Sequence, residues 1–338
     1  MKKSIISIVI PARNEERNLP EVAARLEKVT AKLKEFRFEF ILIDNCSEDG
    51  TAAFGRTISA RDTRWRYLRF SRNFGFETSL AAGLHYATGD ALIFLPSDLQ
   101  DPPEYIETML KLWKQEQCDV VYGTVVERND GNLLKTLGAK VAYWLIHRLS
   151  DIRIPANATD FRLISRSAID ALNTCHERNR YLRGLVHWVG FRQVSFSYRR
   201  EARKRGRSSA GLIHCVNFTI SALIAFSAKP LRWASLIGLV ASFASIAGGV
   251  VYSAIKILTY FGVFAVITPP PGFVTQVLLI LFFGGIQCLF LGIMGEYLGR
   301  ISEEVKQRPR WVVEESVGLV TRAVTARTRD FFNLSAVA

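Results

Sequence analysis

Residues 38–51 read Phe-Glu-Phe-Ile-Leu-Ile-Asp-Asn-Cys-Ser-Glu-Asp-Gly-Thr, and this stretch determines the fold class. Its first six residues are mostly apolar and rich in strand formers, which predicts a buried β-strand. The strand ends at Asp44, and a loop of turn-forming residues leads to a helix that begins near Thr51. A charged residue between a strand and a helix is typical of α/β domains, in which ligands bind beyond the carboxyl ends of the strands.

The same succession of strand, polar loop and helix surrounds this stretch. The sequence predicts strands over 4–10, 66–70 and 91–95, helices over 19–34 and 77–87, and Asn14 as a helix cap. Such alternation predicts a mostly parallel sheet covered by helices on both faces. Asp44, Arg72 and Asp98 then follow three different strands at their carboxyl ends, where a ligand would bind.

The glycine-rich phosphate-binding motifs are missing from the sequence. Neither G-x-x-x-x-G-K-[ST] nor G-x-G-x-x-G occurs, which disfavours a P-loop and a dinucleotide fold. The remaining interpretation is a nucleotide site built from carboxylates. Asp44 suits hydrogen bonds from a base N–H or a ribose hydroxyl, and Asp98 suits a divalent metal held against a diphosphate.

The charge of the chain indicates an anionic partner. There are 44 Lys and Arg residues against 31 Asp and Glu residues. Nucleic acid, a membrane surface or a phosphorylated substrate would satisfy this excess, but no zinc spacing, recognition helix or basic–aromatic pattern supports nucleic acid. The five cysteines are scattered without a C-x-x-C pair, as expected for reduced thiols in a cytosolic protein.

Two long apolar segments, 233–255 and 273–295, contain no Asp, Glu, Lys or Arg. Each is long enough to cross a hydrocarbon core of about 30 Å as a helix. Basic residues flank the pair on its outer ends, so the positive-inside rule predicts a two-span hairpin with both chain ends in the cytoplasm. The proline-rich stretch 268–272 would form the outer turn. Two buried core helices are the alternative.

A basic stretch precedes the first apolar segment. Residues 199–207 contain six basic residues and one acidic residue. They would either attract anionic lipid headgroups or form a loop that grips a lipid phosphate and a donor diphosphate. The following segment, 211–228, reads as an amphipathic interfacial helix that lies along the membrane surface.

Five motifs occur in order, and together with the two spans they resemble a known family. They are IVIPARNEE (8–16), IDNCSEDGT (43–51), SRNFG (71–75), SDLQDPPE (97–104) and DFRL (160–163). The chain resembles the family 2 glycosyltransferases of GT-A fold from residue 4 to about residue 315. More narrowly, it is similar to the polyisoprenyl-phosphate glycosyltransferases, such as bactoprenol glucosyltransferases and relatives of dolichyl-phosphate mannose synthase.

The resemblance implies roles for individual residues, grouped by the ligand that they would contact. The catalytic residues would be Asp160, as the base, with Asp98 and Arg203. Nucleotide and donor binding would fall to Pro11, Arg13, Glu15, Asp44, Arg72 and Asn73. The acceptor phosphate would be bound by Arg200, Arg203, Arg205 and Ser208, and a divalent cation, Mg²⁺ or Mn²⁺, by Asp98 with Asp101.

The sequence departs from the family pattern at two places. The family's metal motif is usually Asp-x-Asp, but Pro96 occupies the first Asp position and cannot supply a carboxylate. Asp101 could contribute instead, although an Asp before Pro-Pro-Glu is also a good helix N-cap. At Ser209, relatives often carry Lys.

The implied activity is transfer of a sugar from a nucleotide-diphosphate sugar, UDP-glucose by analogy, to undecaprenyl phosphate at the cytoplasmic membrane face. The predicted layout is a catalytic domain over 1–210, the interfacial helix over 211–228, the hairpin over 229–302 and a cytosolic tail over 303–338. A processive polysaccharide synthase is one alternative, since residues 307–311 spell Q-x-x-R-W. A non-catalytic membrane protein with a nucleotide-sensing domain is another, and a homo-oligomer is left open.

Overall fold

The computed structural model describes residues 3–126, 155, 158–178, 180–201 and 273–319, with isolated positions between 231 and 261. The described strands are β1 (Ile5–Ala12), β2 (Arg37–Asp44), β3 (Trp65–Phe70), β4 (Ala91–Phe94), β5 (Val120–Val125), β6 (Ala158–Ser165), β7 (Gln193–Tyr198) and β8 (Val313–Val317). The described helices are α1 (Leu19–Lys32), α2 (Thr51–Arg61), α3 (Phe76–Tyr86), α4 (Tyr105–Glu116), α5 (Arg166–Thr174), α6 (Leu182–Trp188) and α7 (Phe273–Lys306).

All eight strands form one sheet in the order β7-β5-β6-β4-β1-β2-β3-β8. Strand β1 runs parallel to both β2 and β4, and β2 runs parallel to β3. This parallel centre confirms the predicted α/β class. Strand β6 is antiparallel to β4 and β5, and β8 is antiparallel to β3, so the sheet as a whole is mixed.

The parallel strands are buried on both faces because apolar residues occupy successive positions. In β1, Ile8 and Ile10 belong to one apolar cluster and Val9 belongs to the other. Side chains alternate between the faces of a strand, so a continuous apolar run supplies both cores. Helix α1 covers one face with Leu19, Val22, Leu26 and Val29, which recur at the spacing of an amphipathic helix.

Two predicted helix caps are wrong. Asn14 does not cap α1, whose N-cap is Asn18. Asn14 instead lies in the loop after β1, where its side-chain oxygen accepts a hydrogen bond from the backbone N–H of Glu48 at 2.8 Å. Asp101 does not cap α4, because the two prolines move the first turn onward and Glu104 is the N-cap.

Helix α7 contains the second predicted membrane segment. It has 34 residues, which corresponds to a length of about 51 Å at 1.5 Å per residue. Within the described part of the chain, one helical stretch, Phe282–Lys306, has the length and composition to cross a membrane, and none of its apolar window is buried. The first predicted span, the outer turn and the interfacial helix lie outside the described residues, apart from isolated positions.

Strand β8 is a structural element that the sequence pattern does not predict. The tail 303–338 shows no strand periodicity of useful length, yet residues 313–317 join the edge of the sheet beside β3. The pairing places Val313 opposite Phe70, at the carboxyl end of β3. The chain therefore returns from α7 to the carboxyl end of β3, which is the end of the parallel strands where a ligand is expected to bind.

Candidate active site

The loops that follow β1, β2 and β4 all contain a residue in the left-handed backbone region. Asn14 and Cys46 have φ of 57°, and Leu99 has φ of 59°. This region is uncommon for residues other than glycine, and such residues cluster at functional sites. Leu99 is also buried, so its side chain fixes the loop that carries Asp98. The three loops are therefore held in defined shapes.

The β1 loop is linked to both neighbouring loops. The carbonyl of Pro11 accepts a hydrogen bond from the Ser97 hydroxyl at 2.8 Å, which joins the ends of β1 and β4. The backbone N–H of Glu15 donates to the hydroxyl of Thr51 at 3.0 Å, at the start of α2. Pro11 is buried, whereas Arg13 is exposed at the edge of the loop. The predicted nucleotide residues of this loop thus border the β2 loop.

Asp44 is fully buried and forms three hydrogen bonds within the protein. Its carboxylate accepts from the backbone N–H of Ser47 at 2.8 Å, the Tyr67 hydroxyl at 3.0 Å and the Arg69 guanidinium at 2.7 Å. Burial, and then the charge of Asp44, raises the pKa of Tyr67, so this hydroxyl stays a donor. A nucleotide that donated a hydrogen bond to Asp44 would share the carboxylate with Ser47, Tyr67 and Arg69.

Gly55 in α2 lies against the ring of Tyr67. A Cβ atom at this position would overlap the ring. Gly→Ala inside a helix usually stabilises by about 0.5–1 kcal/mol, but we expect Gly55→Ala to destabilise by about 1–3 kcal/mol because the buried ring must move. The free energy of unfolding measures this. Ala53→Gly, at an exposed position of α2, reports the helix propensity alone, and a stabilised Gly55→Ala variant would contradict the packing.

The β3 loop carries Arg72 and Asn73. The side-chain oxygen of Asn73 accepts from the Asn45 side-chain amide at 2.9 Å and from the backbone N–H of Gly75 at 3.0 Å. The Arg72 guanidinium lies 4.4 Å from the centre of the Phe74 ring. Arg72 is exposed, so its charge is directed outward from a loop that is tied to the β2 loop.

Asp101 and Arg200 form an ion pair. Asp101 is buried, and its two oxygens accept from Nε and Nη2 of Arg200 at 3.0 and 3.1 Å. The Tyr198 hydroxyl also donates to Asp101, and it lies 3.1 Å from the hydroxyl of Thr159, next to Asp160. The structure thus brings the β4 loop beside β6. Arg200, which the sequence predicts to bind the acceptor phosphate, forms its ion pair with Asp101 instead.

The residues of the β4 loop fit a divalent cation shared with a substrate. In the described part of the chain, no group of three or more His, Cys, Asp or Glu side chains could hold a metal alone. Asp98 is partly exposed, and one of its oxygens accepts from the backbone N–H of Gln100 at 3.2 Å. One carboxylate is enough for Mg²⁺ or Mn²⁺ when phosphate oxygens complete the coordination. Asp101 is less suited to bind a metal, because Arg200 and Tyr198 already donate hydrogen bonds to its carboxylate.

Asp160 lies between two arginines. Its carboxylate accepts from Arg183 at 3.2 and 2.6 Å, and Arg162 is 3.7 Å away. Burial alone would raise the pKa of Asp160, but the two guanidinium groups outweigh it and hold that pKa below the usual value. Asp160 is therefore ionised at neutral pH. No local sequence pattern indicates that Arg183 contacts Asp160, because the two residues are 23 positions apart.

Glu77 is a second carboxyl group near Asp160. Its side chain accepts from the backbone N–H of Leu182 at 3.1 Å, beside Arg183. Burial, and then the charge of Asp160, raises the pKa of Glu77 to about 7. His187, on the same helix as Arg183, is neutral at pH 7 because burial, and then Arg162, lowers its pKa to about 4.

The raised pKa of Glu77 predicts a pH-dependent stability. The folded state holds the proton up to about pH 7, whereas an unfolded Glu loses it near pH 4.3. The resulting stabilisation is complete below the unfolded pKa and is lost as pH rises through 7. Glu77→Gln should therefore gain stability relative to wild type between pH 5 and 8, by about 1–2 kcal/mol. Denaturant unfolding at both pH values measures this, and a constant difference would contradict it.

Three predicted site residues, Arg203, Arg205 and Ser208, lie outside the described residues. The structure places the others at the carboxyl-terminal edge of the parallel strands, on β6, or directly after β7 beside the β4 loop. Sequence patterns did not identify Tyr67, Arg69 or Arg183, which form hydrogen bonds with the predicted residues Asp44 and Asp160. They also did not identify Glu77, whose pKa the charge of Asp160 helps to raise.

Comparisons with known proteins identify the family of the chain. Residues 7–172 match the family described as Glycosyl transferase family 2. An uncharacterized glycosyltransferase of Synechocystis sp. is 38% identical over 314 residues, covering 93% of this chain and 96% of that protein. The SfII prophage-derived bactoprenol glucosyl transferase of Shigella flexneri is 35% identical over 312 residues, covering 92% and 98%.

Two of the solved structures to which the chain is similar contain a bound uridine nucleotide. TarS of S. aureus in complex with UDP-GlcNAc has a TM-score of 0.46 at 15% identity, covering 66% of this chain and 67% of that one. Glucosyl-3-phosphoglycerate synthase of Mycobacterium tuberculosis with Mn²⁺, UDP and phosphoglyceric acid has a TM-score of 0.43 at 18% identity, covering 66% and 78%. The near full-length sequence relatives establish the family: the chain belongs to glycosyltransferase family 2 and is a glycosyltransferase.

Proposed function

We propose that the chain transfers a sugar from a nucleotide-diphosphate sugar, with UDP-glucose as the donor, to a polyisoprenyl phosphate. The observation that carries this proposal is the connection of the exposed apolar helix α7 to the site. The Ser71 N–H donates to the carbonyl of Val312 at 3.0 Å, so the segment after α7 borders the loop of Arg72 and Asn73. A lipid acceptor held beside α7 would present its phosphate to this edge of the sheet.

The likeness to bactoprenol glucosyl transferases supports the same acceptor. Those relatives match over more than nine-tenths of the chain, including the apolar segments. Their names specify bactoprenol as the lipid carrier and glucose as the sugar. The excess of basic residues, including the stretch 199–207, suits an anionic lipid phosphate.

The chemistry requires little deprotonation. A phosphate monoester has a second pKa near 6, so the acceptor oxygen is a nucleophile at neutral pH. The bond from this oxygen to the anomeric carbon forms while the bond to the diphosphate breaks, and the electron pair leaves with the nucleoside diphosphate. Alignment of the two reactants and stabilisation of the leaving group therefore provide most of the rate acceleration.

The residues of the site divide these tasks. Asp98 would hold Mg²⁺ or Mn²⁺, which supplies positive charge to the diphosphate when bound. The ionised Asp160, fixed by Arg183, would orient the reacting groups as much as accept a proton. Arg72 would contact the donor. Arg203, Arg205 and Ser208 would bind the acceptor phosphate, as the family resemblance implies.

The deciding experiment incubates the purified full chain with a panel of nucleotide sugars and undecaprenyl phosphate. Mass spectrometry of the lipid fraction should show a product that is one hexose heavier, formed fastest from UDP-glucose. A growing polymer would favour a processive synthase. Nucleotide binding without any lipid-linked product would favour a sensing domain, and either result would overturn the proposal.

We further propose that α7 and the segment 233–255 form a hairpin with both chain ends in the cytoplasm. Basic residues flank its outer ends, and the apolar residues of Phe282–Lys306 are exposed rather than packed in a core. A cysteine-reactive, membrane-impermeant label should modify a cysteine placed at 270 in intact cells, but not one placed in the exposed loop at Arg13. Labelling at Arg13 would contradict this topology.

A further inference from the structure

Strand β8, which follows α7, is connected to the loop after β2 through Arg69 of β3. Arg69 on β3 donates to three acceptors: Glu314 of β8 at 2.8 Å from Nε, Asp44 at 2.7 Å from Nη1, and the carbonyl of Ser47 at 3.1 Å from Nη2. A planar guanidinium that donates in three directions is fixed in orientation. Glu314 supplies one of these three contacts from a segment far beyond the family match at 7–172.

A β-bulge directs Glu314 toward Arg69. The register between β3 and β8 shifts, with Arg69 opposite Glu315 and Phe70 opposite Val313, which leaves Glu314 as the extra residue. In a regular strand, neighbouring side chains point to opposite faces. With the bulge, Glu314 contacts Arg69 and Glu315 contacts Arg56 of α2, both on the α2 side of the sheet. Bulges of this kind redirect side chains and are frequent next to active sites.

Arg69 and Asp44 together hold the loop that follows β2. Asp44 accepts from the Ser47 N–H, and Arg69 donates to the Ser47 carbonyl, so both polar groups of one peptide residue are fixed. Asp44 has no exposed surface and Arg69 is 16% exposed, whereas Glu314 is 53% exposed. The outermost member of this chain of contacts is therefore a residue of the C-terminal strand.

We propose that Glu314 is a positioning residue of the donor site, which orients Arg69 and through it Asp44 and the Ser47 loop. The proposal rests on the proposed function in that the loop is taken to bind the nucleotide of the donor. It assigns a role in substrate binding to the segment after the apolar helix.

The neighbouring residue provides a matched control. Glu315 forms a bidentate pair with Arg56 at 2.8–3.0 Å, on the same strand and also in contact with solvent. Arg56 makes no described contact with Asp44 or Ser47. Surface ion pairs contribute little to stability, so Glu314→Gln and Glu315→Gln should have similar unfolding midpoints. A difference in nucleotide binding would isolate the effect of the hydrogen bond from Arg69 to Glu314.

The experiment uses the full chain in detergent and UDP as the probe. Glu314→Gln should weaken UDP binding and raise the KM for the nucleotide sugar by about threefold to fivefold, with kcat within about twofold of wild type. Glu315→Gln should leave both constants within about twofold. Glu314→Asp, which keeps the charge on a shorter side chain, should recover part of the loss.

Hydrogen exchange gives a second measurement that needs no ligand. The amides of residues 45–50 should exchange faster in Glu314→Gln than in Glu315→Gln. Equal UDP affinity and equal exchange in the two variants would overturn the positioning role. If wild type binds no UDP and forms no lipid-linked product, the proposed function fails, while the exchange experiment still decides whether Glu314 orders the loop.

Discussion

Asp98→Ala is expected to abolish sugar transfer, with a loss of about a thousandfold or more. Pro96 removes the first carboxylate of the usual pair, and Arg200 and Tyr198 already engage Asp101. Asp98 is thus the carboxylate of the β4 loop best placed to hold a cation against the leaving diphosphate. Asp101, the other aspartate of this loop, is a poor replacement ligand because it is already bound by Arg200 and Tyr198.

Two measurements distinguish a metal ligand from a structural residue. UDP binding by wild type should tighten when Mn²⁺ is added, and Asp98→Ala should lose this increment while retaining metal-free binding. Asp90→Asn is the control, since Asp90 accepts from the Ile5 N–H at the opposite end of the parallel strands. Full transfer by wild type in EDTA, or normal activity of Asp98→Ala, would exclude the metal assignment.

Asp160→Asn is expected to reduce kcat by about a hundredfold while UDP affinity changes by less than about threefold. The substitution removes the negative charge between Arg183 and Arg162 and leaves two cations in the site. This reduction in kcat is at the lower end of the range for a general base, because the acceptor phosphate is already ionised at neutral pH.

The control for Asp160 is a carboxylate on the neighbouring helix. Asp170 forms an exposed i,i+4 pair with Arg166, and Asp170→Asn should leave transfer unchanged. Retained UDP binding shows that the Asp160→Asn variant is folded. A variant with normal kcat would mean that Asp160 only balances the charge of the two arginines.

The sequence predicted the parallel centre of the sheet and the strand-end positions of Asp44, Arg72 and Asp98. These follow from local patterns: short apolar runs, turn residues and helical spacing within about fifteen residues. The interpretation of Asp101 as a cap was wrong because its partner, Arg200, is 99 positions away. Local spacing cannot reveal an ion pair between the segment after β7 and the β4 loop.

The contacts that orient the site were not predictable for the same reason. Glu77 meets the N–H of Leu182 across 105 positions, and Arg69 meets Glu314 across 245 positions. Strand β8 has only five residues, two of them glutamates, so its sequence resembles a polar tail. Tertiary pairing with the edge of β3, rather than strand propensity, determines its structure.

The late position of β8 in the chain has a consequence for biosynthesis. The outer edge of β3 has no strand beside it until residues 313–317 have been translated, which happens only after α7 has been made. An unpaired edge strand is a site of aggregation. Translation that ends within the apolar segments would therefore give a catalytic domain in which the outer edge of β3 is unpaired. Proteases and chaperones should recognise such fragments before they can consume nucleotide sugar. Completion of the sheet is thereby tied to completion of the apolar helix α7.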